Sequence, residues 1–317
     1  MRPGNRSSAE PRPTGLGLAS LRRLPSELRL PKLRLLAEFR SSSGNSGKLL
    51  ALGLLLWIAC PHSQCLAAFE GVIRDARATS MGECWSVSDA TPLSLVGLPA
   101  GDEPASAGFS YCAPYGLEEL AQKNATLGFS RRRVRVAVGL LDRGGSVYNE
   151  RALCTSIDYQ AIPSVRVSLS PVVYSLSAAL SPRTTFWGLS AGVRSRVVTM
   201  LEACVGLGNF VSDAPGESVR PQIVCGLTVS PAPSVTGACE VHRSPGKPAS
   251  FHAGLELETV KGAWLRCGVQ TVPLKLSMGL GLKIGRLSLE TASSFHSVLG
   301  RTDVLSLSWG RGVEWAR

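Results

Sequence analysis

Residues 273–285, PLKLSMGLGLKIG, alternate between apolar and polar side chains along their whole length. The apolar positions are Leu274, Leu276, Met278, Leu280, Leu282 and Ile284, and the positions between them are Lys275, Ser277, Gly279, Gly281, Lys283 and Gly285. Side chains of a β-strand point to opposite faces in turn, so this strand has one apolar face and one polar face. Its length of about ten residues suits a tilted strand that crosses a lipid bilayer.

The same alternation recurs from residue 106 to residue 310, without a long stretch of helical period. The predicted strands lie near residues 106–113, 124–131, 133–142, 152–161, 164–181, 184–195, 197–209, 219–230, 233–243, 250–260, 262–271, 274–284, 286–295 and 303–310. An even count of about fourteen is typical of bacterial transmembrane barrels. The sequence therefore predicts an all-β protein with a transmembrane antiparallel β-barrel over residues 106–310, and a soluble β-sandwich is the alternative. A change of phase at Pro171 predicts a β-bulge in the long segment 164–181.

The connections between these strands alternate in length. Tight links are predicted at 131–132, 161–163, 195–196, 230–233, 260–261 and 285, and longer ones at 114–123, 143–151, 210–218, 244–249 and 296–302. Only the links near 182–183 and 272–273 depart from this order. Short turns on the periplasmic side and longer loops outside are typical of outer-membrane barrels, so the pattern favours a chain that enters from the periplasm.

The N-terminal region indicates export. An uncharged apolar run over residues 49–59 is too short to span a bilayer and resembles the core of a signal peptide. Small residues at Cys65-Leu66-Ala67 predict cleavage before Ala68, which makes residues 48–67 a signal peptide and the bacterial outer membrane the expected location. The alternatives are lipidation of Cys60 or a buried helix of a soluble domain. Residues 1–47 form a basic extension or follow from a misassigned start codon, and residues 311–317 form a C-terminal tail.

The net charge of +11 does not indicate a nucleic-acid partner, because it is concentrated near the N-terminus. Residues 1–67 contain ten Lys and Arg against three Asp and Glu. The segment expected to be removed therefore carries most of the excess positive charge. The remainder of the chain is nearly balanced.

Two short motifs carry a family resemblance. The stretch 75–84, DARATSMGEC, resembles the "ARALGMGGA" opening of PorV-like proteins in the FadL-like group of outer-membrane barrels. Ser88-Asp89-Ala90 stands where those proteins have "ADDA", and Leu98-Pro99-Ala100-Gly101 stands where they have "NPAGL". Near the end, residues 296–302, HSVLGRT, are similar to their "HPVLGLTH". Leu98 replaces the asparagine of the second motif, and Cys84 and Trp85 replace small residues, so a shared ligand or partner does not follow.

The resemblance implies that the N-terminal segment packs inside the barrel. Residues 68–105 are therefore expected to form a lumenal plug or a periplasmic segment. The motif residues assigned to it are Arg77, Met81, Gly82, Asp89, Pro99 and Gly101. The implied function is passive, FadL-like uptake of hydrophobic or amphipathic solutes, and the implied alternative is a non-transporting scaffold or partner of an envelope secretion complex. Expected partners are outer-membrane lipid, a hydrophobic small molecule and envelope secretion proteins.

The polar phase of the strands is expected to face the lumen. The candidates are Glu240, His242, His252, Glu256, Glu258, Arg266, Lys275, Lys283, Arg286 and Glu290. Carboxylates opposite cations would pair across strands and stiffen the barrel. Alternatively, they form a charged wall that guides a solute or grips the plug, with Arg77 and Asp89 pairing with Glu256 or Lys275.

The sequence predicts neither an enzyme nor a metal or cofactor protein. It contains no P-loop and no HExxH motif, and its histidines lack the spacing of a zinc site. Seven cysteines follow residue 67, without a CxxC pair. Cys225, Cys239 and Cys267 fall on the apolar phase and are expected to act as small hydrophobic residues. A disulfide such as Cys84–Cys112 is the alternative.

Overall fold

The computed structural model describes residues 75–87, 98–99, 105–179, 181–213 and 219–310. One short helix, α1, spans Ala76–Ser80, and single 3-10 turns occupy Trp85–Val87, Pro114–Gly116 and Glu118–Leu120. The strands are β1 Ala105–Ala113, β2 Gln122–Arg131, β3 Val134–Gly144, β4 Tyr148–Ile162, β5 Val165–Ala178, β6 Ser181–Val198, β7 Leu201–Ser212, β8 Gln222–Ala232, β9 Val235–Arg243, β10 Ser250–Val260, β11 Ala263–Thr271, β12 Leu274–Ile284, β13 Leu287–His296 and β14 Gly300–Gly310. No described helix has the length and apolar character that crossing a membrane requires.

The strands close into a single antiparallel barrel. Each strand pairs with its neighbour in sequence, and β1 pairs with β14 from Ser106 opposite Gly310 to Ala113 opposite Asp303. Closure leaves no unpaired sheet edge, which is the condition for strands to span a bilayer. The prediction of a fourteen-stranded barrel is confirmed, and the alternative of a soluble sandwich is wrong.

The apolar phase of the strands faces outward. The six apolar residues of β12 are between 47% and 71% exposed, whereas Lys275 between them is 8% exposed. A continuous apolar outer surface around a closed barrel requires a lipid environment, since water would solvate it at a large free-energy cost. The polar phase faces the interior.

The two ends of the barrel differ in their connections. Tight turns at 132–133, 163–164, 199–200, 233–234, 261–262 and 285–286 mark what we call the turn end. Gly262 and Gly285 adopt φ values of 84° and 63° there, a conformation that glycine reaches without strain. The connections at the opposite end, the loop end, include most of the longer ones. β1 begins and β14 finishes at the turn end.

The bulge predicted at Pro171 is wrong. The pairing of β4 with β5 keeps one register from Cys154 opposite Val172 to Ile157 opposite Leu169. Pro171 faces outward opposite Leu189. The sequence changes phase there because the inward residues Val172 and Tyr174 are themselves apolar.

Several predicted segments lie outside the described residues. These are the basic extension 1–47, the signal peptide 48–67 and the C-terminal tail 311–317. Their boundaries, and those of the plug, stay predictions.

Candidate functional site: a plugged lumen

Helix α1 lies inside the barrel against the inner faces of β11–β14. Asp75 caps the helix, because its Oδ1 accepts a hydrogen bond from the Ala78 backbone N–H at 2.6 Å. The Ala76 N–H donates to Ser306 Oγ on β14 at 2.8 Å. Met81 and Cys84, which follow the helix, are fully buried. The described part of the plug is therefore enclosed by the barrel wall.

Three glycines of the wall allow the plug backbone to approach closely. Gly254, Gly268 and Gly279 face the lumen on β10, β11 and β12, where a Cβ would overlap Met81, Gly82 and Ser80 respectively. Gly82 itself has a φ of 74°, and a Cβ there would lie 2.6 Å from the Val269 carbonyl oxygen. We call the three wall glycines the glycine seat. A side chain at any of them requires the plug to move.

Ion pairs fix the plug to the same side of the barrel. Arg77 Nη2 lies 2.8 Å from Glu256 Oε1, and Arg77 Nε donates to Glu256 Oε2 at 2.9 Å. Arg266 Nε donates to the same Oε2 at 2.6 Å, and Arg266 Nη2 donates to Glu290 at 2.9 Å. Two guanidinium groups thus share one buried carboxylate. One of them comes from the plug and the other from the wall, so the network links the plug to the barrel.

Further polar contacts hold the segment that follows helix α1. Lys275 Nζ lies 3.0 Å from Glu83 Oε1. Glu240 accepts hydrogen bonds from the backbone N–H groups of Trp85 and Ser86, at 2.9 and 2.6 Å. On the facing strand β6, Arg194 Nη2 donates to the Ser86 carbonyl at 2.7 Å. These contacts hold the plug backbone as well as its side chains.

Three aromatic rings lie in contact next to these groups. The Trp85 and His242 ring centroids are 4.3 Å apart, and those of His242 and His252 are 3.8 Å apart. His252 Nδ1 donates to the Gly82 carbonyl at 2.7 Å, and His242 Nε2 lies 2.6 Å from Glu240 Oε2. We call the wall residues of these contacts the polar clamp, and its members are Glu240, His242, His252, Glu256, Arg266, Lys275 and Glu290.

The remaining candidates from the sequence lie in other surroundings. Glu258 and Lys283 are half-buried, and Glu258 Oε1 accepts from the Gly262 N–H at 2.8 Å. Arg286 is exposed in the turn before β13, because that strand begins one residue later than predicted, and so it does not line the lumen. Pro99 of the plug is buried. Asp89 and Gly101 lie outside the described residues.

Part of the inner surface of β3–β8 is an apolar cluster, which the sequence analysis did not anticipate. We call these residues the apolar wall, and they are Leu141, Ala152, Cys154, Val172, Tyr174, Phe186, Cys204 and Val224. The Tyr174 and Phe186 rings stack with centroids 5.3 Å apart, and the Tyr174 hydroxyl donates to Asn209 Oδ1 at 2.7 Å. Trp85 and Leu98 of the plug belong to the same buried cluster. The available signal was the loss of alternation at Val172-Val173 and Phe186-Trp187.

The cysteines of the described residues are free thiols. Cys84 and Cys112 lie in separate buried clusters, so the alternative of a disulfide between them is wrong. Burial raises the pKa of the Cys84 thiol. Cys239 and Cys267 are exposed on the outer face of the barrel, and Cys225 is half-buried.

One motif of hydrolases occurs by spacing alone. Residues 188–192, GLSAG, match the Gly-x-Ser-x-Gly pattern, which in hydrolases forms a sharp turn between a strand and a helix. Here they lie inside strand β6, and Ser190 Oγ accepts a hydrogen bond from the Asn209 N–H at 3.0 Å. The nucleophile elbow that the motif requires is therefore not formed.

Comparison with known proteins identifies similar structures but no related sequences. The sequence matches no protein-family model and no curated protein. A CymD monoaromatic hydrocarbon channel superposes with a TM-score of 0.56 at 12% identity, over 77% of this chain and 98% of CymD. The toluene transporter TodX of P. putida superposes with a TM-score of 0.50 at 10% identity, over 74% of this chain and 97% of TodX. At such low identity the likeness establishes the fold alone, and this chain has the membrane β-barrel fold of those two proteins.

Proposed function

We propose that the protein is a bacterial outer-membrane channel for passive uptake of hydrophobic or amphipathic small molecules. The observation that carries the proposal is the apolar wall on the inner face of the barrel. Open porins have polar, water-filled interiors. An apolar surface that faces the lumen is therefore not expected in a channel for hydrophilic solutes. Such a surface instead binds a solute that gains free energy on leaving water.

The orientation of the barrel supports this proposal. Both barrel termini lie at the turn end, and short turns face the periplasm in outer-membrane barrels. The apolar wall lies toward the loop end, since Leu141, Ala152 and Tyr174 occupy the parts of β3, β4 and β5 close to the loop-end connections. A solute that enters at the loop end therefore comes close to these apolar residues.

The two sides of the plug suggest a path. On the β9–β14 side the plug is held by directional ion pairs and hydrogen bonds, at Glu256 and Glu240 among others. On the β3–β8 side Trp85 and Leu98 meet the apolar wall through nondirectional contacts, and Arg194 adds a hydrogen bond to the Ser86 carbonyl. A hydrophobic solute replaces the nondirectional contacts without leaving a polar group unpaired. Under this proposal the solute passes between the plug and the apolar wall while the polar clamp keeps the plug in the barrel.

An uptake assay tests the proposal with two matched variants of strand β5. Val172→Asn places a polar amide on the apolar wall, and Ser168→Asn makes a comparable change at a buried inward position outside it. We expect toluene uptake into proteoliposomes to fall about tenfold for Val172→Asn, because an unpaired buried amide costs about 1–3 kcal/mol. Ser168→Asn should retain most uptake. Wild-type uptake no faster than in empty liposomes contradicts the proposal.

The alternative is a non-transporting, PorV-like partner of an envelope secretion complex. The observation that favours it is the number of polar contacts that hold the plug, at Arg77, Glu83, Trp85 and Ser86. A lumen closed by such contacts suits a scaffold. Crosslinking in whole cells, followed by identification of the captured envelope proteins, tests this alternative. Capture of secretion proteins by a chain that is inactive in the uptake assay favours the scaffold over the channel.

A further inference from the structure

The outer surface of β1–β6 changes from apolar to polar and charged residues near the loop end. Direct cross-strand pairs form one outward row of Phe109, Ala125, Leu140, Leu153, Val173 and Trp187. The next row toward the loop end is Tyr111, Lys123, Asp142, Arg151, Ser175 and Thr185, joined by the same pairings. The two rows are consecutive outward positions on six neighbouring strands, β1–β6, so the surface changes character over a distance of two residues along each strand.

A groove of about 400 Å³ lies on this boundary. Its apolar side includes Phe109, Leu140 and Leu153, and its polar side includes Lys123 and Arg183. The groove therefore presents alkyl and aromatic surface to the membrane interior and cations toward the loop end.

The charge along the groove is positive. Three cations, Lys123, Arg151 and Arg183, line it together with one carboxylate, Asp142. Arg151 Nε lies 2.8 Å from Asp142 Oδ1, and Arg183 Nε donates to Ser175 Oγ at 2.7 Å. Lys123 and Arg183 are both exposed. Asp142 is the one carboxylate among the residues that line the groove, and it is paired with Arg151. The lining residues therefore carry a net charge of +2.

Three other strands of the described rim, β10, β12 and β14, lack this combination. On β10 and β12 the outward residues nearest the loop end are Phe251 and Leu274, so the apolar surface there continues to the rim. On β14 the outward Arg301 is matched one-to-one by Asp303, at 2.7 Å. The combination of excess positive charge and apolar surface therefore distinguishes the groove from the rim of these three strands.

We propose that this groove binds lipopolysaccharide through the phosphates and acyl chains of its lipid A. Phosphate oxygens are strong acceptors for arginine and lysine, and the apolar row beneath them accommodates an acyl chain. The choice of this lipid rests on the proposed orientation, in which the loop end lies in the outer leaflet of the outer membrane. The site is on the outer wall, so it does not depend on solute transport.

Native mass spectrometry of the full chain in detergent tests the proposal with lipid A as the probe. We expect the wild type to retain one lipid A, and Lys123→Gln/Arg183→Gln to bind it about tenfold more weakly, since two charge-assisted contacts are lost. The matched control is Arg301→Gln, which removes a rim cation outside the groove and should change binding less than twofold. Electrophoretic mobility of the unheated and heated protein verifies that each variant has a folded barrel.

Further probes identify the lipid with unmodified protein. Dephosphorylated lipid A and phosphatidylglycerol are each expected to bind at least about tenfold more weakly than lipid A, because the first lacks the phosphates and the second carries a single charge. Equal binding of either probe, or equal binding of lipid A by the double variant, overturns the proposal. Toluene uptake measured on the same preparations separates this result from the proposed function. If lipid A binds but toluene is not taken up, the proposed transport function is contradicted and the lipid A site is not.

Discussion

The inner wall of the barrel has two parts that make different kinds of contact with the plug. On β9–β14 the polar clamp and the glycine seat bring charged side chains and bare backbone to the plug. On β3–β8 the apolar wall faces it with side chains such as Tyr174 and Phe186. Directional contacts specify one position for a segment, whereas apolar contacts tolerate displacement. Under the proposed function, the first part retains the plug and the second part provides the path of the solute.

The largest expected effect comes from breaking the polar clamp at Glu256. Glu256→Ala leaves the guanidinium groups of Arg77 and Arg266 without their shared carboxylate in a buried site. Removing one partner of a buried ion pair costs about 3–5 kcal/mol. We expect the plug to leave the lumen and residues 75–87 to become sensitive to protease in the reconstituted barrel.

Glu258→Ala is the matched control for Glu256→Ala. Glu258 lies two residues further along β10 on the same face, and its described hydrogen bond is to the Gly262 N–H in the adjoining turn. Its loss should leave the plug protected. Equal rates of cleavage in both variants would show that the Glu256 pair does not retain the plug.

The second prediction tests the assignment of inner and outer faces on which the comparison depends. Leu307→Arg places a charge on the outward face of β14, which costs about 2–4 kcal/mol near the middle of the bilayer. The adjacent Ser308 faces inward opposite Gly108 and Ser288, so Ser308→Arg should be tolerated better. The measurement is the yield of heat-modifiable, membrane-inserted protein. Similar yields for the two variants argue against the assigned phase of β14.

The third prediction concerns the glycine seat. Gly268→Ala requires the plug backbone at Gly82 to move, and overpacking of this kind costs about 1–3 kcal/mol. Gly237→Ala is the control, because the nearest atoms to a Cβ there are 4.0 Å away. Hydrogen exchange of the plug amides should increase in Gly268→Ala and stay unchanged in Gly237→Ala. Unchanged exchange in both variants means that the wall adapts and the seat is not required.

Alternation alone was sufficient to predict the barrel, its strand number and most strand positions. It succeeded best on β9–β14, where inward residues such as Glu256 and Lys275 contrast with outward leucines. It located β5 and β6 but did not predict their inner face, because both faces are apolar at Val172-Val173 and Phe186-Trp187. The apolar wall was missed for that reason.

Strand ends and pairings across the lumen were harder to predict from sequence. β4 begins at Tyr148 rather than at residue 152, since Glu150 and Arg151 resemble a loop although they continue the strand beyond the apolar band. The structure pairs Arg77 with Glu256, one of the two partners considered, whereas Lys275 pairs with Glu83. Charge identifies candidate partners, but the path of the plug decides between them, and that path depends on close approach at glycines far apart in sequence.

The smallest predicted effect addresses the apolar wall. Tyr174→Phe removes the hydroxyl that donates to Asn209 and keeps the ring that stacks on Phe186. One such hydrogen bond contributes about 0.5–1.5 kcal/mol, so thermal unfolding should shift slightly downward while the barrel still forms. Because the variant makes the wall more apolar, toluene uptake should be maintained or increased. Phe186→Leu is the companion change that keeps the wall apolar but removes the stacked pair. Similar uptake by both variants indicates that apolar surface is sufficient, and loss only in Phe186→Leu assigns a specific role to the aromatic pair. A large loss of uptake in Tyr174→Phe contradicts a wall that acts through its apolar character.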